Sequence, residues 1–322
     1  MTRLLRHERV SAALTLLGDT AVAALLDRHA RPDAVGIGGR TATLDVAGEP
    51  VFVKQVPVTA LDLAHPHSTA NLFGLPMYCQ YGVGSTGFGV WRELAAHRIT
   101  TGWVLTGRHA AFPLLHHWRV LPAGFAWQGE DIEERVAYWG GAPAVRDRLT
   151  QLRDAPARLV LFLEHLPQTV HDLLRADASA APVVDARLRD AITFMNGEGL
   201  WHFDGHFNNI LTDGRQVYLA DYGLALHEGF ELDADERDWL RRHADYDLRY
   251  TTGHLATWLA EEFRGPAERA AVLRGEAPFL GPPEAAELVR RYAPRALLTN
   301  AFFDALVTGA KTTPYPAYSG IL

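Results

Sequence analysis

Residues 201–226 read WHFDGHFNNILTDGRQVYLADYGLAL. His202, Asp204, His206 and Asn209 open the stretch, Asp213-Gly214 marks a turn, residues 216–220 alternate as a short strand, and Asp221-Tyr222-Gly223 follows. An Asp-Gly turn between alternating segments is a hairpin signal, and this hairpin would carry Asp221 back over the loop holding Asp204 and Asn209. The Asp204 carboxylate can orient an attacking hydroxyl and accept its proton. Asn209 offers a neutral oxygen and Asp221 a charged one to Mg²⁺, which needs only one or two protein oxygens besides phosphate and water. These donors suit chemistry on a phosphoryl group. A second reading stays open, because His202-x-Asp204-x-His206 alternates on one face of an extended segment and also suits a transition metal. That reading leaves the hairpin and Asp221-Tyr222-Gly223 without a role.

The 322 residues exceed one typical domain and can bury a large core in two lobes. A net charge of −7 with no basic run argues against a nucleic-acid partner. One cysteine, Cys79, rules out an internal disulfide and fits a reducing compartment. The opening MTRLLRHERV has no apolar segment of the kind a signal peptide needs, and no apolar run reaches the length of a membrane span. A soluble, cytoplasmic protein without a membrane partner is expected. Only Lys54 and Lys311 are lysine among 31 basic residues. A lysine kept inside the apolar strand VFVKQV therefore reads as chosen for its compact, flexible ammonium, which reaches phosphates where a planar guanidinium would not fit.

Taken in order, residues 1–32 form a helical extension, with Leu4, Val10, Ala13, Leu16 and Leu17 and then Val22 to Leu26 on its apolar faces. Residues 33–56 predict three strand segments. Gly36-Ile37-Gly38-Gly39 opens them, Ala47-Gly48-Glu49-Pro50 turns, and the last carries Lys54. Glycines let backbone amides approach phosphates, although such a cluster alone also reads as a tight turn. Residues 57–89 are a long insertion, placed to cover the active site or the acceptor. Within it, Gly82-Val83-Gly84-Ser85-Thr86-Gly87 spells a dinucleotide-binding fingerprint. It lacks a convincing preceding strand and an acid about 20 residues beyond, so a loop leading into a helix is expected instead. That helix, from Val90, carries Glu93, the first Glu after Lys54. Glu93 is either the ion-pair partner of Lys54 or a surface residue paired with His97 one turn on.

More strand is expected at Trp103-Val104-Leu105 and at Leu114 to Leu121, with His116 and His117 on opposite faces. Glu130 to Trp139 predicts an exposed helix, and the apolar Leu159 to Leu163 a buried strand. A helix capped by Thr169 follows, then one over 187–196 ending at Gly197 and Gly199. The acidic segment Glu228, Glu231, Asp233, Asp235, Glu236 and Asp238 reads as a solvated loop and helix start, or as an electronegative platform for a cationic acceptor. Helices are predicted over 238–263, 266–292 and 294–307, and the Pro- and Tyr-containing tail is expected to pack across the surface.

In this order, Lys54, Glu93, His202-x-Asp204, Asn209 and Asp221-Tyr222-Gly223 resemble the protein-kinase-like superfamily from about Gly36 to Leu226. Asp204-Gly205-His206-Phe207-Asn208-Asn209 is similar to the Asp-x-His-x-x-Asn of aminoglycoside, choline and related small-molecule kinases. His206 stands where protein Ser/Thr kinases place a lysine, and no Ala-Pro-Glu follows Gly223. The resemblance implies an α+β, bilobal protein-kinase-like fold. Residues 33–163 would be an N-lobe with a small antiparallel β-sheet, and 164–322 a mostly α-helical C-lobe. It further implies ATP and Mg²⁺ as cofactors, with a lid at Gly36, Gly38 and Gly39 and with Lys54, held by Glu93, on the α- and β-phosphates. The Glu164 carbonyl and Leu166 amide would bind adenine. Asn209 and Asp221 would hold metal, Asp204 would serve as base, and His202 would brace the loop. His206 would share that bracing or touch the γ-phosphate. The expected acceptor is a hydroxyl on a small molecule. A protein or peptide acceptor and a non-catalytic scaffold are the alternatives.

Overall fold

The computed structural model describes residues 2–28, 34–36, 39–122 and 131–316. Gly38 of the glycine cluster lies outside the described residues. The chain is α+β, 51% helical and 16% strand, with a small antiparallel sheet. Two compact units divide it: residues 1–166 together with 221–239, and residues 167–220 together with 240–322. Residues 221–239, expected in the C-lobe, thus cluster with the sheet. Among the described residues no single helix is long and apolar enough to cross a membrane.

The first unit begins with helices α1 (Arg3–Thr15) and α2 (Asp19–Arg28), followed by strands β1 (Ala34–Gly36), β2 (Gly39–Val46) and β3 (Glu49–Val58). Helices α3 (Ala60–Ala64) and α4 (Val90–Leu105), strand β4 (Leu115–Pro122), helices α5 (Ile132–Tyr138) and α6 (Pro143–Arg153), and strand β5 (Ala157–Glu164) complete the run. The strands form one antiparallel sheet in the order β1-β2-β3-β5-β4. Alternation along a strand sends successive side chains to opposite faces, and β5 uses both. Val160 and Phe162 join Val51, Val53 and the α1 and α2 residues Val10, Leu14, Val22 and Leu26. Leu159, Leu161 and Leu163 join Val56, Val58 and the α4 residues Val90, Trp91 and Leu94. Burial on two sides is why Leu159 to Leu163 is wholly apolar.

Trp103-Val104-Leu105 is not strand. It is the last turn of α4, which stops at Thr106 and Gly107 with Gly107 at φ 71°. Trp103 and Val104 are buried on the helix as they would be in a strand, so their apolar character does not separate the two. The insertion is ordered around a capping box on α3. Thr59 Oγ1 accepts from the Asp62 amide while Asp62 Oδ2 accepts from the Thr59 amide. Asp62 also meets buried Arg148 of α6 at 3.1 Å, and its carbonyl takes the Trp91 indole N–H. A 3₁₀ turn over Met77–Gln80, not a strand, precedes the Gly82–Gly87 stretch.

In the second unit, the strands Gln168–Thr169, Ile210–Thr212 and Val217–Leu219 form a small antiparallel sheet. Its Asp213-Gly214 turn is closed by Asp213 Oδ1, which accepts from the amides of Arg215 and Gln216. Helix α7 (Val170–Ala176) starts from a second capping box, Thr169 with Asp172, and α8 (Ala181–Gly197) follows. Helix α9 (Ala234–Arg242) carries the chain into α10 (Tyr246–Arg264), short α11 (Arg269–Leu273) and α12 (Pro283–Thr308). The expected helices at 266–292 and 294–307 are replaced by this arrangement, and α12 runs through Pro294. A proline inside a helix removes one hydrogen bond. Burial of Val289, Tyr292, Ala293 and Ala296 around it holds the helix together. In the tail, Tyr315 packs on His243, Tyr246 and Phe302.

Candidate active-site residues

Alternation on β3 decides where Lys54 points. Val51 and Val53 face α1 and α2, so Lys54, in phase with Val56 and Val58, faces α4. There its Nζ lies 2.7 Å from Glu93 Oε1 and 2.7 Å from Asp221 Oδ1. Lys54 and Glu93 are buried, whereas the Asp221 side chain is 43% exposed. Glu93 is therefore no surface residue, and His97 stands behind it at 4.0 Å. Burial opposes the Lys54 charge, but Asp221 and Glu93 outweigh it and hold the ammonium above the ordinary lysine value. Glu93 is pushed up by burial and by the neighbouring Asp221, against the pull of Lys54. One ammonium thus serves two carboxylates, and the surplus negative charge sits at the open Asp221 end.

Asp221 adopts a left-handed backbone, φ 63°, that a non-glycine residue seldom takes. Its own Oδ1 accepts from the Gly223 amide at 3.2 Å. Tyr222 is fully buried with its ring edge-on to His97, 4.8 Å between centroids, and hydrogen-bonds Thr100 on the same helix. Burial drives its phenol far above the ordinary tyrosine value, so it stays neutral.

In the second unit the loop 201–209 is held from beneath by Asp247 on α10. Asp247 Oδ2 accepts from the His202 amide at 2.7 Å and from Asn196 Nδ2 at 2.9 Å, and Oδ1 accepts from the Phe203 amide at 2.8 Å. Phe203, at φ 61°, is the strained residue this carboxylate fixes. The sequence reading did not single out Asp247. The available signal was an acid next to Tyr246 at the start of a helix whose inner face is otherwise apolar or hydroxylic. His202 bridges the loop to the hairpin. Its Nε2 is 2.8 Å from the Ala220 carbonyl and its Nδ1 accepts from the Asp204 amide at 3.2 Å, which assigns the proton to Nε2. Ala220, bound also to the Asn209 carbonyl, is the residue before Asp221.

Asn209 Nδ2 donates to the Asp204 carbonyl and to Asp204 Oδ2, each at 3.0 Å. This fixes the carboxylate and turns the amide oxygen of Asn209 the other way. His206 Nε2 lies 3.9 Å from Asp204 Oδ1. A Cβ at Gly205 would come 3.0 Å from Thr251 Oγ1 on α10, so any larger residue there requires that hydroxyl to give way. One turn along, half-buried His254 stacks on Tyr250 and takes the Phe207 ring edge-on. Burial, then His206 and His171, push His254 down to about 4, so it is neutral beside the loop.

The remaining expected positions all lie in the first unit. Gly39 sits at φ 112°, where a Cβ would fall 1.9 Å from the Gln55 carbonyl oxygen. It is a glycine because two strands meet there, with Gly36 its partner across the β1–β2 hairpin. The Glu164 side chain binds Arg3 of α1 (Nε to Oε1, 2.7 Å) and the Leu114 amide, and Leu166 ends the first run of the first unit. His202 is committed to a carbonyl, and among the described residues no three or more His, Cys, Asp or Glu are gathered to hold a metal. The His-x-Asp-x-His stretch is therefore braced loop, not a ligand set. In the acidic segment Glu228, Glu231, Asp233 and Asp235 are exposed, as a solvated loop and helix start would be, while Glu236 is not. Glu236 is buried against Arg92 at 2.6 Å, and Glu231 accepts from Ser68 Oγ and the Thr69 amide. No protein-family model matches the chain, and no curated protein matches it in sequence.

Proposed function

We propose that the chain is a phosphotransferase of bilobal protein-kinase-like fold that uses ATP and Mg²⁺ to phosphorylate a hydroxyl group, most readily that of a small molecule. The observation that carries this reading is the buried Lys54 held between Glu93 and Asp221. A desolvated lysine kept charged by two carboxylates is an expensive arrangement for stability alone, and it presents a fixed cation suited to phosphate oxygens. The Asp204–Asn209 pair supports it with a half-exposed carboxylate locked in one orientation.

Each expected metal ligand carries an oxygen of the kind a hard divalent cation takes: in the first unit Asp221 has a part-exposed carboxylate, and in the second Asn209 has an amide oxygen turned away from Asp204. Bound there, Mg²⁺ would neutralise charge on the phosphates. Lys54 would pair with the α- and β-phosphates. Asp204 would accept a hydrogen bond from the acceptor hydroxyl and take its proton as the new O–P bond forms. The bond from the γ-phosphorus to ADP breaks, and its electron pair leaves on the ADP oxygen. Because the transition state is loose, the proton moves late, so orientation matters more than basicity. His206, 3.9 Å from Asp204, would brace this carboxylate or meet the γ-phosphate.

The test is consumption of γ-labelled ATP with Mg²⁺ by the protein alone, with an aminoglycoside and amino-alcohol panel, and with lysate. Label on a small molecule is the expected result. Label on a polypeptide would replace the acceptor class. Neither nucleotide binding nor hydrolysis would overturn the reading in favour of a scaffold. Asp221→Ala should abolish turnover while leaving the far-UV circular dichroism unchanged, because its side chain is exposed, and undiminished turnover would remove Asp221 from the metal set.

A further inference from the structure

Within the first unit, residues 68–92 meet residues 223–239 repeatedly. Ser68 and Thr69 bind Glu231, Arg92 pairs with buried Glu236 while its Nε donates to the Thr69 carbonyl at 2.7 Å, and the Tyr81 and Trp239 rings lie 4.7 Å apart. Two contacts fall on the residues that follow Asp221. Gln80 Nε2 donates to the Leu224 carbonyl. Gly87, at φ 67°, lies so close to the Gly223 carbonyl that a Cβ would be 2.8 Å from its oxygen.

Gln80 is 1% exposed, and its Oε1 is buried without a partner among the described residues. A buried amide with one unsatisfied end is a poor way to fill space, since an apolar side chain of equal length would avoid the desolvation cost. The residue is therefore explained by the hydrogen bond it donates. The backbone it grips belongs to the turn that starts at left-handed Asp221, and strained backbone persists only where its surroundings over-determine it.

We propose that Gln80, seconded by Gly87, is a positioning residue for Asp221: the insertion clasps the Gly223 and Leu224 carbonyls and so fixes the carboxylate that faces Lys54. The catalytic consequence rests on the phosphotransferase reading, whereas the clasp itself does not. Gln80→Met keeps the length and apolar packing and deletes the donor. By hydrogen–deuterium exchange, its amides at 222–225 should exchange about tenfold faster, the worth of one buried hydrogen bond, while those of β5 stay as in the wild type. The Mg²⁺ concentration for half-maximal turnover should rise by a similar factor, with KM for the acceptor unchanged. Gly87→Ala, pressing on the same turn from the other side, should move the same two readouts and serves if Gln80→Met does not fold. Unchanged exchange at 222–225 in a folded variant overturns the clasp. Faster exchange with an unchanged Mg²⁺ requirement in an active enzyme overturns the positioning role. A wild type that neither binds nor turns over Mg·ATP overturns the phosphotransferase reading, and the exchange comparison then still decides the clasp.

Discussion

Lys54 and Glu93 are interdependent because neither charge has water to fall back on. Lys54→Met would leave Glu93 buried without its partner, and breaking such a pair costs about 3–5 kcal/mol. Lys54→Met with Glu93→Gln should recover most of that stability in urea unfolding and, on the phosphotransferase reading, none of the ATP turnover, which separates the lysine's role in folding from the one proposed toward phosphate. Histidines set the acid limit. His116 is 2.9 Å from His7, Nδ1 to Nδ1, and burial followed by His7, Arg3 and Arg6 pushes it down to about 3 from an ordinary 6.5. The unfolded chain therefore takes the proton first. Stability contributed by neutral His116 is complete above pH 6.5 and drains as pH falls toward 3, with about 2 kcal/mol gone by pH 5. His254, lowered to about 4, adds to the slope in the same direction. Denaturation midpoints at pH 7 and pH 5 should show this loss, and His116→Gln should shrink the difference between them.

Among the elements, the strand and turn logic was readable wherever local chemistry is self-sufficient. The Asp213-Gly214 hairpin, the Thr169 cap and the three strand segments before Val58 each lie where their residue types put them. The end of α4 and the course of α12 were not readable. An apolar triplet looks alike in a buried helix and a buried strand, and Pro294 reads as a break although its neighbours' burial holds the helix through it. Helix α3 shows a third case: five residues are too few to be stable alone, and it is set by the Thr59–Asp62 box and by Arg148 from a distant helix. Arg148→Met should therefore cost about 3–5 kcal/mol by stranding the buried Asp62 carboxylate. Adding Asp62→Asn should return part of it in the same unfolding assay.

For the molecule as a whole, the division into two units makes a single all-or-none unfolding transition a poor expectation. Lys54, Glu93 and Asp221 all belong to the first unit, so Mg·ATP should act on that unit's transition. A nucleotide held at a hundredfold its dissociation constant adds about 2.7 kcal/mol to whatever folded unit binds it. Calorimetry with and without Mg·ATP should show the transition of the first unit move upward. Lys54→Met with Glu93→Gln should lose the shift, and a shift kept in full would detach Lys54 from the nucleotide.

The motif residues could be named in advance because their chemistry is carried by type and spacing. A solitary lysine in an apolar strand, the first glutamate after it and a loop packing His202, Asp204, His206 and Asn209 ahead of an Asp-Gly hairpin need no three-dimensional information to stand out. Their partners could not. Asp247 under Phe203, Gln80 behind Leu224, Glu236 against Arg92 and Arg3 on Glu164 join positions tens to over a hundred residues apart. Whether a charged side chain is solvated or buried depends on what folds over it, which no local pattern records. Glu236 read as an open acid for that reason, and packing against Arg92 turned it into an anchor. Gly39 was legible as a glycine of consequence, but only the approach of Gln55 shows that sterics between strands require it.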